Sequence, residues 1–136
     1  MANVLPPLVL IGTLGELLVQ QRLLQFRVQA APPIKDSGND LVAFHGQIVK
    51  TIQVKTATGR ISDNRRLPQH YDILALVVLE RTEEALHLDR SRIYLVPREA
   101  VAATPRTAEA LAPFEFKFNE AAESLGFLNQ VFANGR

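Results

Sequence analysis

The sequence holds no cysteine, which excludes disulfides, thiolate zinc sites and thiol nucleophiles together. It also lacks an unbroken apolar run of the roughly 20 residues that a bilayer-crossing helix needs. The N-terminal stretch MANVLPPLVLIGTLGELL is interrupted by Pro6, Pro7 and Glu16. With no basic n-region and no small-residue cleavage site, it reads as folded sequence rather than as a signal peptide. Charge of one sign is scarce as well. Fifteen Lys and Arg against 14 Asp and Glu leave a net +1, too little by itself to announce a nucleic-acid binder. No G-x-S-x-G motif, Walker loop or dinucleotide fingerprint occurs. His45, His70 and His87 have no zinc-site spacing, and no repeat or linker divides the chain. There remains an ordinary globular composition, 47% apolar and 21% charged, in 136 residues. That is enough for one domain spanning residues 1–136 with its own core, and it is compatible with an intracellular home.

Periodicity places the elements. Thr13-Leu14-Gly15-Glu16 has the spacing of a capping box, which predicts a helix starting there. Its apolar face would be Leu14, Leu17, Leu18, Gln21, Leu24 and Gln25. Phe26 to Ala30 alternates as a short strand. Leu41 to His45 and Ile48 to Thr56 read as a hairpin closed by Gly46-Gln47, with glycine in the first turn position. Ala57 to Asp72 reads as a long polar loop, of the kind that is more often functional than idle. Ile73 to Leu79 is a continuous apolar run suited to a strand covered on both faces. A polar segment from Glu80 to Arg92 precedes a strand at Ile93 to Pro97 and a helical turn at Arg98 to Ala103. Asn119 to Ala133 closes the chain as a helix with Ala122, Leu125, Leu128, Val131 and Phe132 on one face.

Chemistry concentrates around the hairpin. Gln53 and Lys55 project from one face of their strand, about 7 Å apart. A turn at Gly46-Gln47 pairs residues whose numbers sum to ninety-three, so Asp40 faces Gln53. One acid, one amide and one amine therefore converge, a set that suits a hard divalent cation. The Asp40 carboxylate, the Gln53 amide oxygen and the backbone carbonyl of Val54 are oxygen donors of the type Mg²⁺ takes. Lys55 could then orient water or stabilise charge on a phosphate. Taken alone, Gln53 and Lys55 equally describe the wet face of a half-exposed strand.

Gly15-Glu16, then Asp36-Ser37-Gly38-Asn39-Asp40-Leu41-Val42, then Ile52-Gln53-Val54-Lys55-Thr56, resemble the PD-(D/E)XK nuclease superfamily in a Q-x-K form. The resemblance covers residues 15 to 56, and the later elements only by their order. It implies an α/β, restriction-endonuclease-like core: an N-terminal helix, a β-meander carrying the active site, further strands and a C-terminal helix. It implies Asp40, Gln53 and Lys55 as catalytic residues. Asp40, Glu16, Gln53 and Val54 would hold Mg²⁺, with Mn²⁺ as a possible substitute. Gln53 stands where the superfamily usually has an acid, so the site has one negative charge fewer. Glu16 has a competing explanation as the last residue of the capping box, and Asp36 is a rival to Asp40.

The implied activity is that of a metal-dependent endodeoxyribonuclease of homing or restriction type. A junction-resolvase-like nuclease and an inactive DNA-binding module of the same fold are the alternatives. Lys50, Lys55, Arg60, Arg65 and Arg66 lie close together in sequence with one acid, Asp63, among them. With Lys35 and Thr56, the residues Lys50, Arg60, Arg65 and Arg66 are the expected contacts to double-stranded DNA. Cutting two strands needs two sites, so a homodimer or homotetramer is expected, with Val4 to Ile11 as candidate interface.

Overall fold

The computed structural model describes residues 7–34, 38, 40–61, 66–83 and 85–133, with side chains from residue 10 onward. Helix α1 is Pro7–Gln25. It begins well before the position that the Thr13 to Glu16 spacing predicts, so neither of those residues is a cap. Proline fits the first turn of a helix, where its missing N–H has no partner to lose. At the other end the Val28 N–H donates to Leu23 O and the Arg27 N–H donates to Leu24 O, each at 3.0 Å. That pair of bonds is a Schellman motif, and Arg27 takes the left-handed position, φ +67°, that glycine usually fills. The turn consumes Phe26 to Val28, so strand β1 is Gln29–Ala31 rather than the expected Phe26 to Ala30. Replacing Arg27 with glycine is expected to relieve the left-handed strain and raise Tm by about 2–4 °C in calorimetry.

Strands β2, Leu41–His45, and β3, Ile48–Thr58, form the expected hairpin. Gly46 at φ +62° supplies the positive angle that the first position of this turn requires. Strands β4, Ile73–Arg81, and β5, Leu86–Pro97, follow, and then a short β6, Glu115–Phe116. The six strands lie in chain order in one sheet. All neighbours are antiparallel except β3 and β4, which are parallel. Helices α2, Arg98–Val101, and α3, Ala108–Leu111, precede β6, and α4, Ala121–Ala133, ends the described chain.

Residues 73–79 of β4 are buried throughout, as a run without alternation predicts. Ile73, Ala75, Val77 and Leu79 join a core with Leu18, Val19 and Leu23 of α1 and Leu128, Val131 and Phe132 of α4. Leu74, Leu76 and Val78 join a second core on the other face with Tyr71, Tyr94, Val101 and Leu111. The β3-to-β4 connection packs Ile61 and Leu67 on this second core, so it crosses that face.

Three expectations are corrected. The strand expected at Ile93 to Pro97 begins earlier, at Leu86, so most of the polar segment Glu80 to Arg92 is the outer arm of the β4–β5 pair, in register again at Glu80↔His87 and Arg81↔Leu86 after a bulge. There Ser91 Oγ accepts the Glu80 N–H and donates to His87 O, both at 2.9 Å. The buried face of α4 includes Ser124, Leu128, Val131 and Phe132, and leaves Ala122 and Leu125 exposed. The face of α1 is also not the expected one, because Leu17 and Leu24 point outward. Of Val4 to Ile11, residues 4–6 and the side chains of 7–9 lie outside the described residues.

Candidate active site

The hairpin sets the geometry. Pairs Leu41↔Ile52, Ala43↔Lys50 and His45↔Ile48 give the register that the Gly46-Gln47 turn predicts, which places Asp40 beside Gln53. β2 starts at Leu41 while β3 runs on to Thr58, so among the described residues no strand pairs with the β2-side edge of β3 from Gln53 onward. Asp40 fills the first step of that edge: its Oδ2 accepts the Val54 N–H at 2.9 Å. In a strand the N–H and C=O of one residue point the same way, so the Val54 carbonyl faces this edge too.

Gln53 and Lys55 pair in parallel register with Leu74 and Leu76, on the sheet face away from α1. Gln53 is 8% exposed. Its Oε1 is buried with no hydrogen-bond donor among the described residues. An unpaired buried amide oxygen costs about 1–3 kcal/mol and can accept a donor or ligate a cation. Lys55 is half-buried, so its ammonium keeps access to solvent.

Glu16 lies in the middle of α1, where its backbone oxygen accepts the Gln20 Nε2. The helix crosses β3 at its neighbour Gly15. A Cβ on Gly15 would overlap Thr56 Oγ1 and lie 2.8 Å from Thr56 Cβ and Cγ2. Glycine inside a helix costs about 1 kcal/mol and signals such a close approach. Burial, and then the negative charge of Asp40, push the Glu16 carboxyl above its ordinary pKa. Two carboxylates thus stand in each other's field, and one of them, Asp40, is also the register neighbour of Gln53. Among the described residues there is no cluster of three or more His, Cys, Asp or Glu. The donor set here is instead two acids, an amide and a backbone carbonyl, all oxygen, which fits a hard cation.

The raised Glu16 pKa has a definite sign. The folded protein holds this proton more tightly than the unfolded chain, so stability is lost as pH rises from about 4.5 through the folded value. Glu16→Gln is therefore expected to raise Tm at pH 7 in EDTA, with the gain vanishing below pH 4. In titrations with Mg²⁺ the parent's Tm should rise and that of Glu16→Gln should not.

The basic residues separate. Lys50, expected at DNA, is 3% exposed, shares the α1-facing parity of Ile52, and lines a cleft with Asp72, Arg98 and Glu99. Thr56 is half-buried, with its hydroxyl oxygen covered under Gly15. Alternation along β3 puts both on the sheet face opposite Gln53 and Lys55. Arg60 and Arg66 are exposed on the connection between β3 and β4. Lys35, Asp36 and Arg65 lie outside the described residues. Asp72 was not foreseen: its Oδ2 accepts the Thr51 N–H at 2.9 Å and its own N–H donates to Thr51 O at 3.1 Å, pinning the parallel β3–β4 start. His45 stacks on Phe132, and His87 Nε2 bonds Thr82 Oγ1 at 2.9 Å, so both have structural partners.

No family model matches the chain, and no curated protein matches it significantly. Among solved structures it is similar to a bacterial homing endonuclease, I-Ssp6803I, at 19% identity and a TM-score of 0.58, over 92% of this chain and 94% of that one. The mixed α/β architecture, a six-stranded sheet with flanking helices, is thus shared with a homing endonuclease across nearly the full length of both chains.

Proposed function

We propose that the protein is a metal-dependent endodeoxyribonuclease of homing type. The observation that carries this reading is the buried Gln53 Oε1 without a donor, next to an Asp40 carboxylate fixed on the Val54 N–H. Asp40, Glu16, Gln53 Oε1 and the Val54 carbonyl would hold the cation. When bound, Mg²⁺ supplies charge neutralisation at the phosphoryl group and acidifies water. The residues of the chain do the rest. Asp40, held by a main-chain N–H, keeps its carboxylate oriented just before the start of β2. Lys55 places an ammonium on the same sheet face as Gln53, where it stabilises negative charge developing on the scissile phosphate or orients the attacking water. Leu74 and Leu76 flank the pair with apolar surface and strengthen its electrostatics. Arg60 and Arg66 would hold phosphates of a DNA duplex beside the site.

The fold and the homing endonuclease likeness support cleavage of double-stranded DNA rather than passive binding. The test is supercoiled plasmid incubated with Mg²⁺, Mn²⁺ or EDTA. Nicked and linear products with either metal and none in EDTA are expected. Intact plasmid in every lane, with salt-sensitive binding retained, would instead identify a binding module. Parallel linear and four-way-junction substrates separate homing-type cleavage from junction resolution.

A further inference from the structure

Two bonds fix where the backbone N–H groups of β3 point. The Val54 N–H donates to Asp40 Oδ2, and the Gly59 N–H donates to Leu79 O of β4, both at 2.9 Å. Alternate residues of a strand turn their N–H groups to opposite sides, so Lys55 and Ala57 face β4 as Gly59 does. Thr56 and Thr58 face the open edge with Val54. Their N–H groups have no acceptor among the described residues. They stand about 6.6 Å apart, close to the separation of successive phosphates on a DNA strand. Beyond them Thr58 and Gly59 line an open hollow with Arg81, Thr82 and Glu83 of the β4–β5 arm. Arg60 and Arg81 each lie two residues past the register pair Thr58↔Leu79, and both are exposed. Among the described residues neither guanidinium is hydrogen-bonded or ion-paired.

We propose that this edge seats the backbone of the cleaved DNA strand, with the Thr58 N–H and the Arg81 guanidinium holding phosphates beyond the scissile one. The inference rests on the nuclease reading and adds Arg81 to it as a positioning residue. The edge begins at Val54, whose carbonyl is a proposed cation ligand. Four residues of extended chain carry it about 13 Å to Thr58, where the hollow with Arg81 opens. Main-chain N–H groups and arginine are the usual phosphate donors of DNA-binding proteins. A β-strand fits this edge less well. Asp40 already takes its first N–H, which leaves only two, and the arginines at its far end match phosphate rather than peptide. Like charges at neighbouring strand positions repel, and an anion beside Arg60 and Arg81 relieves that repulsion. Glu83 lines the same hollow and opposes the anion.

Phosphate contacts carry no sequence information, so a mixed-sequence duplex serves as probe, its binding measured in Ca²⁺ across a salt series. Arg81→Gln is expected to weaken binding about tenfold and to lower the slope of log affinity against log salt by about one. Arg90→Gln removes the same charge from an exposed position on the same arm, outside the hollow, and should keep the parent's slope. Glu83→Gln should bind more tightly than the parent. In amide hydrogen exchange the Thr58 N–H should be fast in the free protein and protected in the complex, whereas the Ala57 N–H, turned to β4, stays protected in both. Arg81→Gln behaving like Arg90→Gln, a Glu83→Gln protein binding no tighter than the parent, or a Thr58 N–H unchanged by bound duplex would overturn this inference and leave the nuclease reading standing. A parent without salt-dependent duplex binding would overturn both.

Discussion

Lys55→Met is expected to lower plasmid cleavage by about 10²–10⁴-fold while leaving affinity for the uncleaved duplex within about threefold of the parent. Methionine matches the length and apolar stem of lysine and removes only the ammonium. Lys55 is half-buried on a strand whose backbone is paired with β4, so the substitution leaves the fold intact. The charge lost lies on the Gln53 face of β3, one residue beyond the N–H that holds Asp40. If the ammonium serves the transition state, rate falls and binding does not. The comparison needs single-turnover cleavage in Mg²⁺ and duplex binding in Ca²⁺, which takes the same oxygen donors. Equal losses in rate and affinity would make Lys55 a phosphate anchor, and unchanged cleavage would remove it from the site.

Gly15→Ala should be the most damaging small substitution in α1. On propensity alone alanine in a helix interior gains about 1 kcal/mol over glycine. Here the added methyl would overlap Thr56 Oγ1, with Thr56 Cβ and Cγ2 at 2.8 Å. Thr56 is short and β-branched and sits on a strand flanked by β4, so it cannot swing aside. The helix has to lift instead. Overpacking of this kind costs about 1–3 kcal/mol, and a Tm drop of several degrees is expected. Lifting α1 also moves Glu16 away from Asp40. A shift near 1 Å at a catalytic group lowers turnover by about 10²-fold. Adding Thr56→Ala removes Oγ1 and Cγ2 but leaves Cβ, so the double variant should recover part of both losses, a non-additivity that thermal melts and cleavage rates would show together. A Gly15→Ala protein more stable than the parent would mean that the helix does not press on β3 as described.

The hairpin was legible because its register is a local matter. Gly46 dictates the turn, the turn dictates which residues pair, and the pairing alone puts Asp40 beside Gln53. The buried run 73–79 was legible too, since seven consecutive apolar residues leave no polar face to expose. The face of α1 was not. Its leucines are spread around the helix, so periodicity could not say which of them the sheet would take; contact with β3 through Gly15 chose Leu18, Val19 and Leu23 and left Leu17 and Leu24 outside. Glu16 looked like a cap because the local spacing was right, yet the helix had already begun at Pro7.

By itself the sequence determined the hairpin, the doubly covered central strand and the alternation that puts Gln53 and Lys55 on one side, because each depends on neighbours within a few residues. Tertiary structure alone decided that Glu16 lies in the field of Asp40, that Gln53 Oε1 is buried without a donor, and that Lys50 and Thr56 turn to the covered face. Those outcomes depend on how a helix docks across strands distant in sequence. Docking is settled by close packing, where a single missing Cβ at Gly15 decides how near the helix can come.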